Sequence, residues 1–175
     1  MSAHWYEKSM SLNRKLNVEE PRLITKILVG VDGSENSEKA LDYALEVADK
    51  FSASVLILNV FQPPPDFEYL NMLPQPQASE YPQESIDYPS VINDLRKMHE
   101  NVLSKATERA TKLKPTLKIT AQLKEGDMPS QIVETAANGE FDLVVIGHSK
   151  NKELFLGSTC ERVAHHAGCA VLIVK

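Results

Sequence analysis

Short, dense apolar runs separated by amphipathic stretches set the frame of this chain. Ile24 to Val31 carries Ile27-Leu28-Val29 with no polar interruption, and Ala53 to Phe61, Phe141 to Ile146 and Ala170 to Val174 are built the same way. Runs this short and this apolar predict strands covered on both faces. Leu117 to Leu123 alternates and predicts a further strand. Between these runs the period changes. From Glu35 to Lys50, Ala40, Leu41, Ala44, Leu45 and Ala48 share one stripe, with Ser34 or Asn36 placed to cap the helix. From Ser90 to Leu113, apolar positions at Val91, Leu95, Met98, Val102, Ala106, Ala110 and Leu113 recur at three or four and predict a long helix whose stripe is ordinary core. Pro115 ends it. Gly126-Asp127-Met128-Pro129 turns into a short helix with Pro129 in its first turn and Gly139 as its stop, and a last helix is predicted over Thr159 to His166.

Strands alternating with helices predict an α/β fold, a doubly wound five-stranded parallel sheet with helices on both faces in the Rossmann manner. Right-handed crossovers limit how it can be wound. In such a sheet the ligand crevice lies where the strand order reverses, at the carboxyl ends of the two central strands. If the first and fourth strands are those neighbours, Asp32-Gly33 and Gly147-His148 face each other there. The organisation expected is a polar tail or arm over 1–22 and a single domain over 23–175 carrying an insertion at 62–89. That insertion holds seven of the ten prolines, with Phe67, Tyr69, Tyr81 and Tyr88. Proline density denies both helix and ladder hydrogen bonds. The aromatics suit a lid or a dimer arm.

Charge and composition narrow the partners. A net charge of −5 excludes nucleic acid and anionic membrane as the default surface. No apolar run approaches the roughly 20 residues of a membrane span, and the scattered charges Glu7, Lys8, Arg14 and Lys15 do not suit a secretion signal. A cytoplasmic protein is the expectation. Two cysteines, Cys160 and Cys169, stand at neither a redox nor a zinc-ligand spacing, and are read as reduced thiols.

Candidate chemistry gathers at the two strand ends. Asp32 is placed to accept hydrogen bonds from a ribose hydroxyl or an adenine amine, or else to cap the turn Asp32-Gly33-Ser34. Gly157-Ser158-Thr159 opens a helix, where backbone N–H groups and the helix dipole favour a phosphate. Ser158-Thr159-Cys160-Glu161 also matches a capping box, which the same geometry accommodates. Among the histidines, His148 alone sits where chemistry is expected. The chain has no G-x-x-x-x-G-K-[ST] loop, G-x-G-x-x-G fingerprint, metal-ligand cluster or G-x-S-x-G elbow. No nucleophile has an evident base, so catalysis has no positive sign.

Taken in order, Lys26 to Ser34, Gly126-Asp127-Met128-Pro129, Asp142 to Gly147, Leu156 to Val163 and Cys169 to Val174 resemble the universal stress protein family from Leu23 to Lys175, apart from the insertion. The resemblance implies a fold of the adenine-nucleotide alpha-hydrolase-like kind, usually dimeric. It implies ATP or AMP as ligand, with Mg2+ or Mn2+ through the phosphates and at most slow hydrolysis. Asp32 would contact the nucleoside, the backbone near Val60 the adenine, and the loop after the fourth strand the phosphates. The implied binding set is Val31, Asp32, Val60, Gly147, His148, Ser149, Gly157, Ser158 and Thr159. Binding members carry Gly-x2-Gly-x9-Gly-(Ser/Thr) in that loop. Here Gly147 and Gly157-Ser158 match its ends, but Lys150 replaces the second glycine and the loop is three residues shorter. Lys150 or Lys152 would then offer charge in place of lost N–H groups. The expected function is a nucleotide-binding, dimeric stress-response module, with homodimer contacts through Ala170 to Val174. The alternative is an interaction module that has given up the nucleotide and uses 62–89 for a partner.

Overall fold

A computed structural model of the chain describes residues 24–63, 88–148 and 158–175. The elements in order are β1 (Lys26–Gly30), α1 (Glu35–Phe51), β2 (Ser54–Phe61), α2 (Tyr88–Leu113), β3 (Ile119–Glu125), α3 (Met128–Asn138), β4 (Leu143–Gly147), α4 (Ser158–His166) and β5 (Ala170–Val174). The insertion expected at 62–89 lies outside the described residues except at its ends, where Tyr88 and Pro89 already belong to α2. The tail over 1–22 lies outside them as well.

The five strands are parallel and ordered β3-β2-β1-β4-β5, so the winding reverses between β1 and β4, as expected. Successive residues of a strand face opposite sides of the sheet, and the core divides accordingly. Ile27, Val29, Val55, Ile57 and Val145 pack against Ala40, Leu41, Ala44 and Leu45 of α1 and Ala110 of α2. Leu28, Leu58, Val144 and Ile146 pack against Ile132 and Ala136 of α3 and Cys160 and Val163 of α4. Two helices therefore cover each face. At the opposite end from the crevice, the Asp142 carboxylate accepts from Thr25 N at 2.8 Å, Thr25 Oγ1 at 2.8 Å and Lys26 N at 3.1 Å, joining the starts of β1 and β4.

One expectation is corrected. The stripe of α2 is not uniformly core: Val91 is 46 % exposed, Met98 57 % and Leu113 53 %. For Val91 the cause is length. A helix of 26 residues spans about 39 Å at 1.5 Å per residue, whereas the eight residues of β2 cover about 26 Å at 3.3 Å each. Met98 is exposed for another reason: its neighbours Arg96 and His99 meet β2 and β3, and Met98 is turned away from them.

Candidate functional site

The site grows from the ends of β1 and β4. After Gly30 the chain leaves the sheet through Val31, Asp32 and Gly33, and Gly33 takes φ +82°, a conformation that only glycine adopts without strain. The turn brings Ser34 N to 2.9 Å from Asp32 Oδ1. Ser34 then caps α1, its side chain accepting from Ser37 N at 3.2 Å. Burial pushes the Asp32 carboxyl up, but hydrogen bonds with Ser34 and Ser37 outweigh that, and it settles below the ordinary 3.8. Asp32 therefore serves its own turn, as the sequence allowed, and still presents an ionised carboxylate at the crevice.

Across from it, Gly147 is held for a different reason. A Cβ there would lie 2.6 Å from Asn36 C and O and 2.7 Å from Ser37 N, so the first turn of α1 packs directly on the end of β4. His148 continues the tie. Its N–H donates to Val174 O at 2.7 Å, and its carbonyl accepts from Asn36 Nδ2. Its imidazole Nδ1 is buried without a hydrogen-bond partner among the described residues. From α4, Cys160 Sγ donates to Gly147 O at 3.5 Å, and burial pushes that thiol up. Thr159 reaches the crevice wall, whereas Ser158, the first residue of α4, is exposed. Ser149 and Gly157 lie outside the described residues.

The crevice is lined by Gly30, Val31, Asp32 and Ser37 on one side, Leu58 and Val60 from β2, Met128 and Ile132 from α3, and Ile146, Gly147 and Thr159 on the other, enclosing about 40 Å³. The fold thus brings Val31, Asp32, Val60, Gly147 and Thr159 together. Its lining is mostly apolar, with Asp32, Ser37 and Thr159 as the polar side chains.

Two residues at this end escaped the sequence reading. Asn59, 1 % exposed, donates from Nδ2 to Val31 O at 2.7 Å, and its Oδ1 lies 2.7 Å from His99 Nδ1 on α2. The His99 ring also packs on Phe61 at 5.8 Å. Burial draws His99 below the ordinary 6.5, while the charge of Asp32 pulls the other way. His148 is therefore not the only histidine at the carboxyl end of the sheet. Signals existed for both residues. Asn59 is the polar residue inside the run Val55 to Phe61, and a buried amide demands partners; His99 interrupts the apolar stripe between Leu95 and Val102.

With that geometry in place, comparison with known proteins is decisive for the family. The sequence model of the Universal stress protein family matches residues 24–175. The chain belongs to the universal stress protein family. A universal stress protein of Methanocaldococcus jannaschii is 30% identical over 156 residues, covering 87% of this chain and 83% of that protein. Among solved structures, a universal stress protein in complex with cAMP aligns with a TM-score of 0.61 at 23% identity, covering 87% of this chain and 98% of that one. The universal stress protein from Archaeoglobus fulgidus in complex with dAMP aligns at 0.57 and 20% identity, covering 88% of this chain and 100% of that one. The doubly wound parallel sheet is the fold of the family's solved members. No helix among the described residues is long and apolar enough to cross a membrane.

Proposed function

We propose that this member of the family binds an adenine nucleotide, AMP or ATP, in the crevice at the carboxyl ends of β1 and β4, and works as a cytoplasmic, homodimeric stress-response module rather than as an enzyme. The observation that carries the reading is the placement of Asp32. An ionised carboxylate in the lining of a mostly apolar crevice, at the switch point of a doubly wound sheet, suits a ribose beside a base. Two relatives of the same fold, solved with cAMP and dAMP, support an adenylate as the ligand class.

In this reading the base enters beside Val31 and the backbone of Val60, the ribose meets Asp32, and the phosphates lie toward Gly147, His148, Ser149, Gly157, Ser158 and the start of α4 at Thr159. Mg2+ or Mn2+ would be carried on the phosphates. No group of three or more His, Cys, Asp or Glu among the described residues could hold a metal by itself. Pockets for small molecules run to about 300–1,000 Å³, against about 40 Å³ here, so a nucleoside extends out of the crevice or displaces part of its wall. Met128, unbranched and half-buried, is the wall residue most able to move.

That small volume also favours the second reading, an interaction module of the same fold that leaves the crevice closed and uses 62–89 for a partner. Calorimetric titration with AMP and ATP, with and without Mg2+, decides between them. The expected outcome is saturable heat that Asp32→Ala weakens by about tenfold, the worth of a charge-assisted hydrogen bond at about 1.5 kcal/mol. An absence of heat at millimolar nucleotide, with no nucleotide carried through purification, would sink the first reading and leave the second.

A further inference from the structure

The buried amide of Asn59 stands between two groups that constrain it completely. A carbonyl oxygen can only accept, so the atom of Asn59 at 2.7 Å from Val31 O is the NH2. The atom facing His99 is then the amide oxygen, which can only accept in turn. His99 Nδ1, 2.7 Å away, must therefore carry a proton whether the ring is neutral or cationic.

The position of Val31 gives this chain of donors a purpose. Val31 N donates to Leu58 O at 2.9 Å, the last backbone rung between β1 and β2. The next rung of a parallel ladder would pair Val31 O with Val60 N. Asn59 Nδ2 takes that oxygen instead. The side chain thus closes the sheet where β1 turns away, while Val60 lines the crevice.

We propose that Asn59 and His99 form a positioning relay for the nucleoside end of the crevice, in which His99 locks the Asn59 amide and the amide holds Val31 and Asp32 at the spacing that leaves the Val60 backbone for a base. The proposal rests on the adenine-nucleotide reading and deepens it. The surroundings are defined. Phe61 of β2 packs on His99 with the rings tilted, Arg96 of α2 lies over the Phe61 ring at 4.9 Å from its centroid and pairs with Glu125 of β3 at 2.9 Å, and Asp32 supplies the charge from the β1 turn.

The test compares the full-length wild type with His99→Ala and His99→Gln, each first shown to be folded by its melting curve, in titrations with adenosine, AMP and ATP. His99→Ala is expected to weaken all three by the same factor, about 2- to 10-fold. His99→Gln, which can still donate to Asn59, should recover most of the loss. Unchanged affinity, a loss that grows with the number of phosphates, or no recovery by glutamine would overturn the relay. Imidazole nitrogen NMR on the nucleotide-free protein examines it separately. The expected result is a neutral Nδ1–H tautomer, with a titration midpoint that Asp32→Asn moves further down; an Nε2–H tautomer would refute it. If the wild type binds no adenosine or adenylate, the binding reading and the positioning role fall together, and the tautomer alone then reports whether the hydrogen bonds exist.

Discussion

Gly147 shows how one residue can be read in the sequence for one role and carry a second that the sequence does not show. Its place at a strand end beside a helix start made it a phosphate-facing candidate, but the atoms nearest its missing Cβ are backbone atoms of Asn36 and Ser37 at 2.6–2.7 Å. Backbone of a capped helix cannot swing aside as the tip of a side chain can. Gly147→Ala is therefore expected to destabilise the protein by about 1–3 kcal/mol, the usual cost of overpacking, with or without nucleotide. Urea unfolding of the ligand-free variant checks this, and a wild-type midpoint would refute it. By contrast, Asp-Gly-Ser is a local signal, and the turn at Asp32 was readable because all its partners lie within a few positions. The contact of Gly147 with α1 was not, because its partner is remote in sequence and is placed there only by the winding of the sheet.

At the scale of elements, nearly every strand and helix was legible because apolar spacing reports which face of an element is covered. The reversal between β1 and β4 entered the sequence reading as a condition, and the strand order meets it. What periodicity cannot report is how far an element runs past its support, which is why Val91 was assigned to a core it does not reach. Caps, being local, were readable. Ser34 was one of two candidates for the start of α1, and it is the cap. Ser34→Ala should cost about 1 kcal/mol through loss of the Ser37 N–H acceptor. It should also raise the Asp32 pKa, since the Ser34 hydroxyl is among the groups holding that carboxyl down. Thermal melts would show the first effect and a carboxyl titration by NMR the second; an unmoved Asp32 would contradict the assigned cause.

At the scale of the whole molecule, acid should weaken the fold in two separable steps. Both His99 and Asp32 bind protons less tightly in the folded chain than their ordinary values of 6.5 and 3.8. The unfolded state therefore takes up protons first. The His99 contribution is complete above 6.5 and is lost as pH falls through its lower folded value; the Asp32 contribution is complete above 3.8 and is lost only below that. Urea midpoints followed from pH 7.5 to 3 should decline first below 6.5, and His99→Gln should remove that early decline while keeping the later one. A wild-type curve flat down to pH 4 would contradict it.

The proposed homodimer is argued from the same sheet, whose two edges are not alike. β3 exposes Thr120, Ala121, Gln122 and Glu125 and carries charge at Lys124 and Glu125. β5 is apolar throughout, pairs on one side with β4, and leaves Val171, Leu172 and Ile173 half-buried. An apolar edge strand whose outer backbone groups have no partner among the described residues is a template for pairing with another chain, and a two-fold operator closes such a contact on itself. The wild type is expected to run as a dimer in light scattering at micromolar concentration. Val171→Lys, which puts a charge on that edge, should shift it to monomer with little loss of helix signal in circular dichroism. A monomeric wild type would refute pairing through β5, and a Val171→Lys variant that remains a folded dimer would move the interface elsewhere on the molecule.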